Sequence, residues 1–467
     1  MKMWSGRFRQ PLDPAFERWQ RSFAFDRRLL KYELEASSAH AHALRKAGIL
    51  SADELISILE GLKRIGEMAA SSPSFPEDSE AEDVHHFVEK QLAALIGDTG
   101  YKLHSGRSRN EQIATDLRLY CRAATEHLRA DLAELCETVI QRAEQAGNAP
   151  MPSYTHLQPA EPVLVAHWLL AYTEMFLRDA DRLADCRRRL NICPLGSGAV
   201  AGATVALDRE AMAVALNFDS PTANSIDATS DRDFALEFVN SLSILGLHLS
   251  RWAEEMILFS SQQYGFIGLP ESYSTGSSAM PQKKNPDLLE LVRGKAGRIA
   301  GCATALTITI KGLPLAYNKD LQETQEPLFE ATETMLAMLP LVAGWMKAAE
   351  FKTDAMRQAT QSGFMNAWAA ATYLVNKGVP SRLSHEAVGK AVQLCLEKNC
   401  ELKDLAIAEL QSIDTAFGED FYNCLGVPAV LAIHDVVGGT APARVQQAVK
   451  AAKNKIESLR EEAHAHA

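Results

Sequence analysis

No stretch of this chain is apolar for long enough to cross a bilayer. The longest apolar run, Met335 to Met346, is too short and contains Pro340, so no membrane association is expected. The N-terminus, MKMWSGRF, has no apolar run behind its lysine, and a secretory signal is not expected either. Eight cysteines are scattered without a single CxxC pair. That removes the usual redox and zinc spacings and leaves buried thiols in a reducing compartment, the cytoplasm. Positive charge is the scarcer sign, 48 Lys and Arg against 59 Asp and Glu, for a net charge of −11. Such a balance argues against non-specific binding to nucleic acid or an anionic membrane, but it permits a local basic pocket for a small acid. No Gly-x-Ser-x-Gly elbow is present on a strand-turn-helix pattern, so a serine hydrolase is not indicated.

What the chain does have is an ordinary globular balance, 47% hydrophobic and 23% charged over 467 residues, which is too long for one core. Two or three domains are expected. The first hundred residues read as short helices joined by loops, with turns at Pro11 to Pro14 and Ser71 to Pro76 and a helix over Ala36 to Leu50. Ser22 and Asp26, four residues apart, face the same way on a helix or tight turn, as a cap or as a ligand pair. Glu82, Asp83, His85 and His86 form a polar cluster, but adjacent histidines cannot share one helix face and no cysteine is near. A metal site is not expected there.

Three denser concentrations of polar groups follow. His104 to Thr115 reads HSGRSRNEQIAT and precedes helix-spaced apolar residues Ile113, Leu117, Tyr120, Ala124, Leu128, Leu132, Leu135 and Val139. Ser108, Arg109 and Asn110 thus stand at the mouth of a long helix, where a carboxylate can be bound. Ser153 to Pro159, reading SYTHLQP, lies among prolines ahead of an apolar helix from Val163 to Leu177, and its His156 has the reference pKa of a proton carrier. Gly276 to Pro286 reads GSSAMPQKKNP, with two hydroxyls, two adjacent cations and an Asn-Pro helix start. Lys283 beside a helix N-terminus suits a small anion.

Between and after these lie two heptad patterns. Phe238, Leu242, Leu245, Leu249, Trp252, Met256 and Phe259 form one; Leu289, Val292, Ala296, Ile299, Ala303, Leu306 and Ile310 form the other. Apolar residues off the seam, such as Val239, Ile257 and Ile308, require further packing partners, so a helical bundle completed by other subunits is expected. Ser261 to Gly276, rich in glycine and serine, reads as a mobile loop delivering Ser277. The last part of the chain, broken at Gly378-Val379-Pro380 and Gly438-Gly439, reads as a small helical domain with a frayed end from Glu461 to Ala467.

Five motifs together resemble the argininosuccinate lyases, within the fumarase/aspartase superfamily. They are GRSRN with Gln112, YTHLQPA from Tyr154, SDRDF from Ser230, GSSAMPQKKNP, and YNKDLQE from Tyr317, in the family's order. The QKKN portion is similar to the argininosuccinate lyase version of the superfamily signature and unlike that expected of an adenylosuccinate lyase. The resemblance implies an all-α subunit of three domains, here residues 1–105, 106–350 and 351–467. It also implies a homotetramer whose long central helices form a twenty-helix bundle with active sites shared between subunits. The reaction implied is cleavage of argininosuccinate to arginine and fumarate, with no metal or organic cofactor.

By the same resemblance Ser277 is the base, His156 its paired histidine, Glu290 the carboxylate orienting that histidine, and Lys283 the fumarate-side cation. Ser108, Arg109, Asn110, Thr155 and Asn285 match substrate-binding groups, as do Ser22, Asp26, Arg232, Tyr317 and Gln322 nearer the rest of the substrate. Glu111 and Gln325 depart from the family, standing where many relatives have Asp and Lys. Relatives recruited as lens proteins make a structural role the alternative to an enzyme.

Overall fold

The structure is a computed structural model that describes residues 10–72, 74–75 and 80–465. The expectation for the extreme N-terminus lies outside the described residues, as do Pro73 and Pro76 of the turn-rich segment and the last two residues. Helices dominate, and the few strands form four two-stranded pairs. Among the described residues no helix is long and apolar enough to cross a membrane.

The longest helix, Arg109–Ala146, runs for 38 residues. Of its eight expected apolar positions, all but Tyr120 are buried. Reciprocal capping starts it: the Asn110 N–H donates to Ser108 Oγ (3.3 Å) and the Ser108 N–H to Glu111 Oε1 (3.0 Å). The seam from Phe238 to Phe259 is buried throughout on the helix Asp233–Ser260. Burying each such side chain is worth roughly 1.5–3 kcal/mol, which is what holds a helix of this length against the entropy of ordering it. Helices Val165–Leu190, Asp287–Ile310 and Gln325–Ala348 complete the long set.

The chain divides into two compact units, one of Met1–His127, Arg182–Ser243 and Arg298–Met335, the other of Leu128–Asp181, Ile244–Gly297 and Leu336–Ala467. In the first, helices Leu30–Lys46, Ala52–Ser71 and Val84–Ile96 pack on one another. The helix expected over Ala36 to Leu50 begins earlier, because a 3-10 turn over Arg27–Leu29 leads straight into it. It also ends earlier, at Lys46, where Gly48 adopts a φ of 78° and the Ile49 N–H closes on the Leu44 carbonyl. Ser51 and Glu54 form a capping box for the next helix, and Asp83 caps the one after through the His86 N–H (2.8 Å).

In the second unit, strands Pro150–Thr155 and Gln158–Leu164 form an antiparallel hairpin. Val163 and Leu164, expected to open a helix, pair instead with Met151 and Pro150, and the helix starts at Val165. Pairing with the first strand holds these two residues extended, which delays the helix. The region after residue 360 has its own core, built on Leu374, Val388, Ala391, Leu402, Phe417 and Phe421. Its expected breaks fall between helices Ala367–Asn376 and Ser381–Lys398 and before Pro442–Ala465. This last helix continues through most of the segment expected to fray.

Candidate active site

The first unit encloses a polar cavity of about 230 Å³, walled in part by Ser22, Asp26, Arg109, Asn110, Tyr317 and Gln322. All six were singled out in the sequence. Ser22 ends the chain's approach to the short helix Phe23–Asp26, and its Oγ donates to Asp26 Oδ2 at 2.6 Å. The other oxygen of Asp26 accepts the Val84 N–H at 3.0 Å. Both residues are buried, so the pair is no exposed cap. Burial pushes the Asp26 carboxyl up to about 7, the charge of Asp83 adds to this, and the two hydrogen bonds only partly oppose it.

Glu82, Asp83, His85, Lys319 and Gln325 also face this cavity. Arg109 reaches Asp83 at 2.9 Å and Glu82 at 3.3 Å. Gln325, one of the two departures, is buried with its Oε1 unbonded among the described residues, while Lys319 keeps a cation on the same wall. Glu111, the other departure, holds the Ser108 N–H with one oxygen and the Gly198 N–H with the other (2.9 Å), tying the helix start to a glycine-rich loop. Arg232 is buried and donates to the Asp231 carbonyl at 2.7 Å. Burial lowers its pKa to about 10, and the Tyr317 hydroxyl is near enough to act on it.

A second group lies on the loop before helix Asp287–Ile310. Thr275 and Gly276 pair with Asn285 and Lys284, which closes the intervening residues into a hairpin-like loop. The Asn285 amide donates across it to the Gly276 carbonyl at 3.3 Å. At its root, Ser277 Oγ accepts the Met280 N–H (3.1 Å) and the Ala279 N–H (3.3 Å). Two donors on one hydroxyl oxygen favour its deprotonated form. Lys284 is tied back to the Leu269 carbonyl (3.3 Å) and Glu271 (3.5 Å), whereas Lys283 is exposed and makes no salt bridge among the described residues. Glu290, in the first helical turn, lies 3.9 Å from Arg293.

The third group is Thr155 and His156 at the exposed tip of the hairpin. His156 and Leu157 have φ of 55° and 58°, the mirror-image turn of a tight hairpin that glycine and asparagine usually supply. Two large side chains in the left-handed region are a cost that the surroundings must hold in place. Tyr154 does so by packing edge-on against Tyr264 and tilted against Phe259, at 5.4 and 5.8 Å. Among the described residues no hydrogen bond or ion pair joins His156 to Glu290 or to Ser277.

A family pattern described as Lyase matches residues 6–301, and one described as Argininosuccinate lyase C-terminal matches residues 364–432. The argininosuccinate lyase of Koribacter versatilis (strain Ellin345) is 58% identical over 467 residues, covering all of both chains. That of Acidobacterium capsulatum is 60% identical over 464 residues, 98% of this chain and 96% of its own. The chain belongs to the argininosuccinate lyases. An EDDS lyase solved in complex with formate has a similar fold, with a TM-score of 0.86 at 25% identity over 98% of this chain and 93% of that one. A class II fumarase from Schistosoma mansoni, 17% identical with a TM-score of 0.74 over 85% of this chain and 90% of that one, shares the fold.

One buried cluster is centred outside the five motifs. Glu33 receives His85, Arg107, Gln112 and Ser37 from four directions, and Asp116 lies beside it. The sequence did carry a signal. Glu33 is spaced with Leu30, Ser37, His40 and Leu44 on the face of its helix that is buried, an unusual place for a lone carboxylate. The exclusion of a shared face for the adjacent histidines fits the geometry: His85 turns inward to Glu33, while Nδ1 of His86 accepts the Glu82 N–H.

Proposed function

We propose that the three polar groups of this argininosuccinate lyase, contributed by different subunits of a homotetramer, build each active site. The reaction is the reversible β-elimination of argininosuccinate to arginine and fumarate. In this reading Ser277 removes the proton beside a carboxylate, and Lys283, with amide and hydroxyl donors, steadies the aci-carboxylate that forms. His156 handles the proton of the leaving guanidinium, oriented by Glu290. Ser108, Asn110, Thr155 and Asn285, with Lys283, hold the fumarate half, Ser22, Asp26, Arg232, Tyr317 and Gln322 the remainder, and Arg109 also binds substrate. The division into residues 1–105, 106–350 and 351–467 belongs to the same reading, as does a cytoplasmic location, which suits eight free cysteines.

The observation that carries the assembly is the apolar surface left on the long helices. Leu247, Leu291 and Ile308 are each more than half exposed on the long helices, which supports packing of these helices against other subunits. Activity is therefore expected to follow the tetramer: sedimentation at a series of concentrations, run beside assays, should show turnover per chain falling as tetramer dissociates. A fully active monomer would remove this reading.

Asp26 supplies a second expected outcome, with opposite signs for stability and binding. Its folded pKa of about 7 lies above the ordinary 3.8, so its contribution to stability is complete below pH 3.8 and is lost as pH rises through about 7. Asp26→Asn, uncharged throughout and able to accept the Val84 N–H while its amide donates to Ser22 Oγ in the reverse sense, should raise Tm most at pH 8 and less at pH 5, where only part of the contribution has been lost. At pH 8 it should also raise KM by about tenfold or more, because a charge-assisted bond to a cationic group of the substrate is lost. Thermal melts and KM at both pH values check the pair, and a Tm lowered equally at each would show that Asp26 is needed mainly for packing.

A further inference from the structure

The buried cluster behind the cavity has no role in the assignment above. Glu33, fully buried, accepts from Ser37 Oγ at 2.6 Å and from Gln112 Nε2 at 3.1 Å, and lies 3.7 Å from Arg107 Nη1. His85 Nδ1 donates to its Oε2 at 2.9 Å and lies 3.7 Å from Asp116 Oδ2. His85 is only 6% exposed, yet it forms part of the cavity wall, and its Nε2 has no hydrogen-bond partner among the described residues. A buried ring nitrogen without a partner is costly unless something meets it in the working state.

Glu33, His85 and Asp116 offer ligand atoms within 4.8 Å of one another, the spacing of a cation site. The rest of the cluster argues for another use. Arg107 already brings a positive charge to Glu33 and Gln112 a further donor, so what an ion would bring is supplied by side chains.

We propose that Glu33 is a positioning residue which, by holding Nδ1 of His85, presents Nε2–H at the cavity wall as a donor to a carboxylate oxygen of the substrate. This rests on the reading of the cavity as part of the active site. The charges around the ring suit the role. Facing it are Glu33 from helix Leu30–Lys46, Asp116 from the long helix, and Asp83 and Asp26 from the segments beside the cavity, with Arg107 as the cation beside Glu33, while burial and then Arg107 hold His104 down to about 4 and so uncharged. Burial alone would strip the proton from His85, but Glu33 outweighs it and the pKa is raised. Burial likewise opposes the charge on Glu33, and His85 and Arg107 overcome it, bringing the carboxyl down to about 2. Asp116 is pushed well above the usual carboxylate range by burial and then by the charge of Glu33. The cavity wall carries Asp26, Glu82 and Asp83 against Arg109, Lys319 and His85, so Nε2–H of His85 is a local donor on a wall of mixed charge.

The test is kcat/KM for argininosuccinate between pH 5.5 and 8.5, measured on wild type, Glu33→Gln, His85→Gln and the double variant, each checked for tetramer and Tm. Glu33→Gln should lose about tenfold in kcat/KM at pH 8, mostly through KM, and recover only part of it toward pH 5.5, where the buried ring begins to regain its proton. In the His85→Gln background the same substitution should add no pH-dependent loss. A loss equal at every pH, or losses that simply multiply in the double variant, would overturn the proposal. If Glu33→Gln does not fold, Glu33→Asp replaces it: the shortened carboxylate should move the alkaline limb to lower pH, and an unmoved limb refutes the role. Ser22→Ala and Asp26→Asn separate the two readings. If neither changes KM, the cavity is not part of the site; if they do and Glu33→Gln does not, only the positioning role falls.

Discussion

Ser277→Ala is expected to abolish nearly all turnover, by about a thousandfold or more, while the fold and oligomeric state remain. The loss follows from removing the proton acceptor, since positioned bases contribute about 10²–10⁴-fold, and from leaving no second oxygen in its place. The structure explains why stability should be spared. Ser277 is half-buried on a loop, and among the described residues its Oγ receives the N–H groups of Ala279 and Met280 and makes no other hydrogen bond. Both donors belong to exposed residues, so water can replace the lost acceptor at small cost. The same two donors draw negative charge onto the oxygen, which is what a serine needs before it can act as a base. Fumarate absorbance measures the turnover, and thermal melts measure the fold. A drop in Tm as large as the drop in rate would assign Ser277 to the loop's structure.

Lys283→Met should reduce the turnover number by about a hundredfold, and Lys284→Met by far less. The two residues are the same type, adjacent, and both exposed, so composition cannot separate them. Their partners can. Lys284 is committed to the Leu269 carbonyl and Glu271, a surface arrangement worth no more than about 1 kcal/mol. Lys283, with no salt bridge among the described residues, stands beside the start of helix Asp287–Ile310, where the helix end adds its own positive field. If Lys283 meets a carboxylate whose charge grows during proton removal, its loss must appear in kcat as well as in KM, at about 3 kcal/mol for one such donor. Steady-state kinetics on both variants decide it. Equal and mild effects would return the stretch to a capped surface turn.

Much of the chemistry was legible before the fold was. The polar run around Ser108 and the cluster at Gly276 to Pro286 stand out because hydroxyls, amides and cations are concentrated at helix starts, where backbone N–H groups lack partners. The hairpin that carries His156 was not legible as a strand pair. Its prolines announced only a break, and a His-Leu pair in left-handed geometry has no local signal, being held by Tyr154 against Phe259 and Tyr264 from distant parts of the chain. The motifs gave Glu111 as a departure from Asp without saying what it does. Only the fold shows its two oxygens bridging Ser108 and Gly198.

Periodicity and motif order were enough to establish a helical lyase. A run of apolar residues at helix spacing is a local property, and five motifs in sequence are a property of the string. Convergence is neither. Asp26, Asp83, Tyr317 and Gln325 meet at one cavity across some three hundred residues, and Glu33 gathers His85, Arg107 and Gln112 from other segments than its own helix. Which carboxylate keeps its proton, and which histidine keeps its charge, depends on what surrounds each group when water is excluded. Those neighbours are chosen by packing, so the charge state of Asp26, Glu33, His85 and Asp116 could be decided only by the tertiary structure.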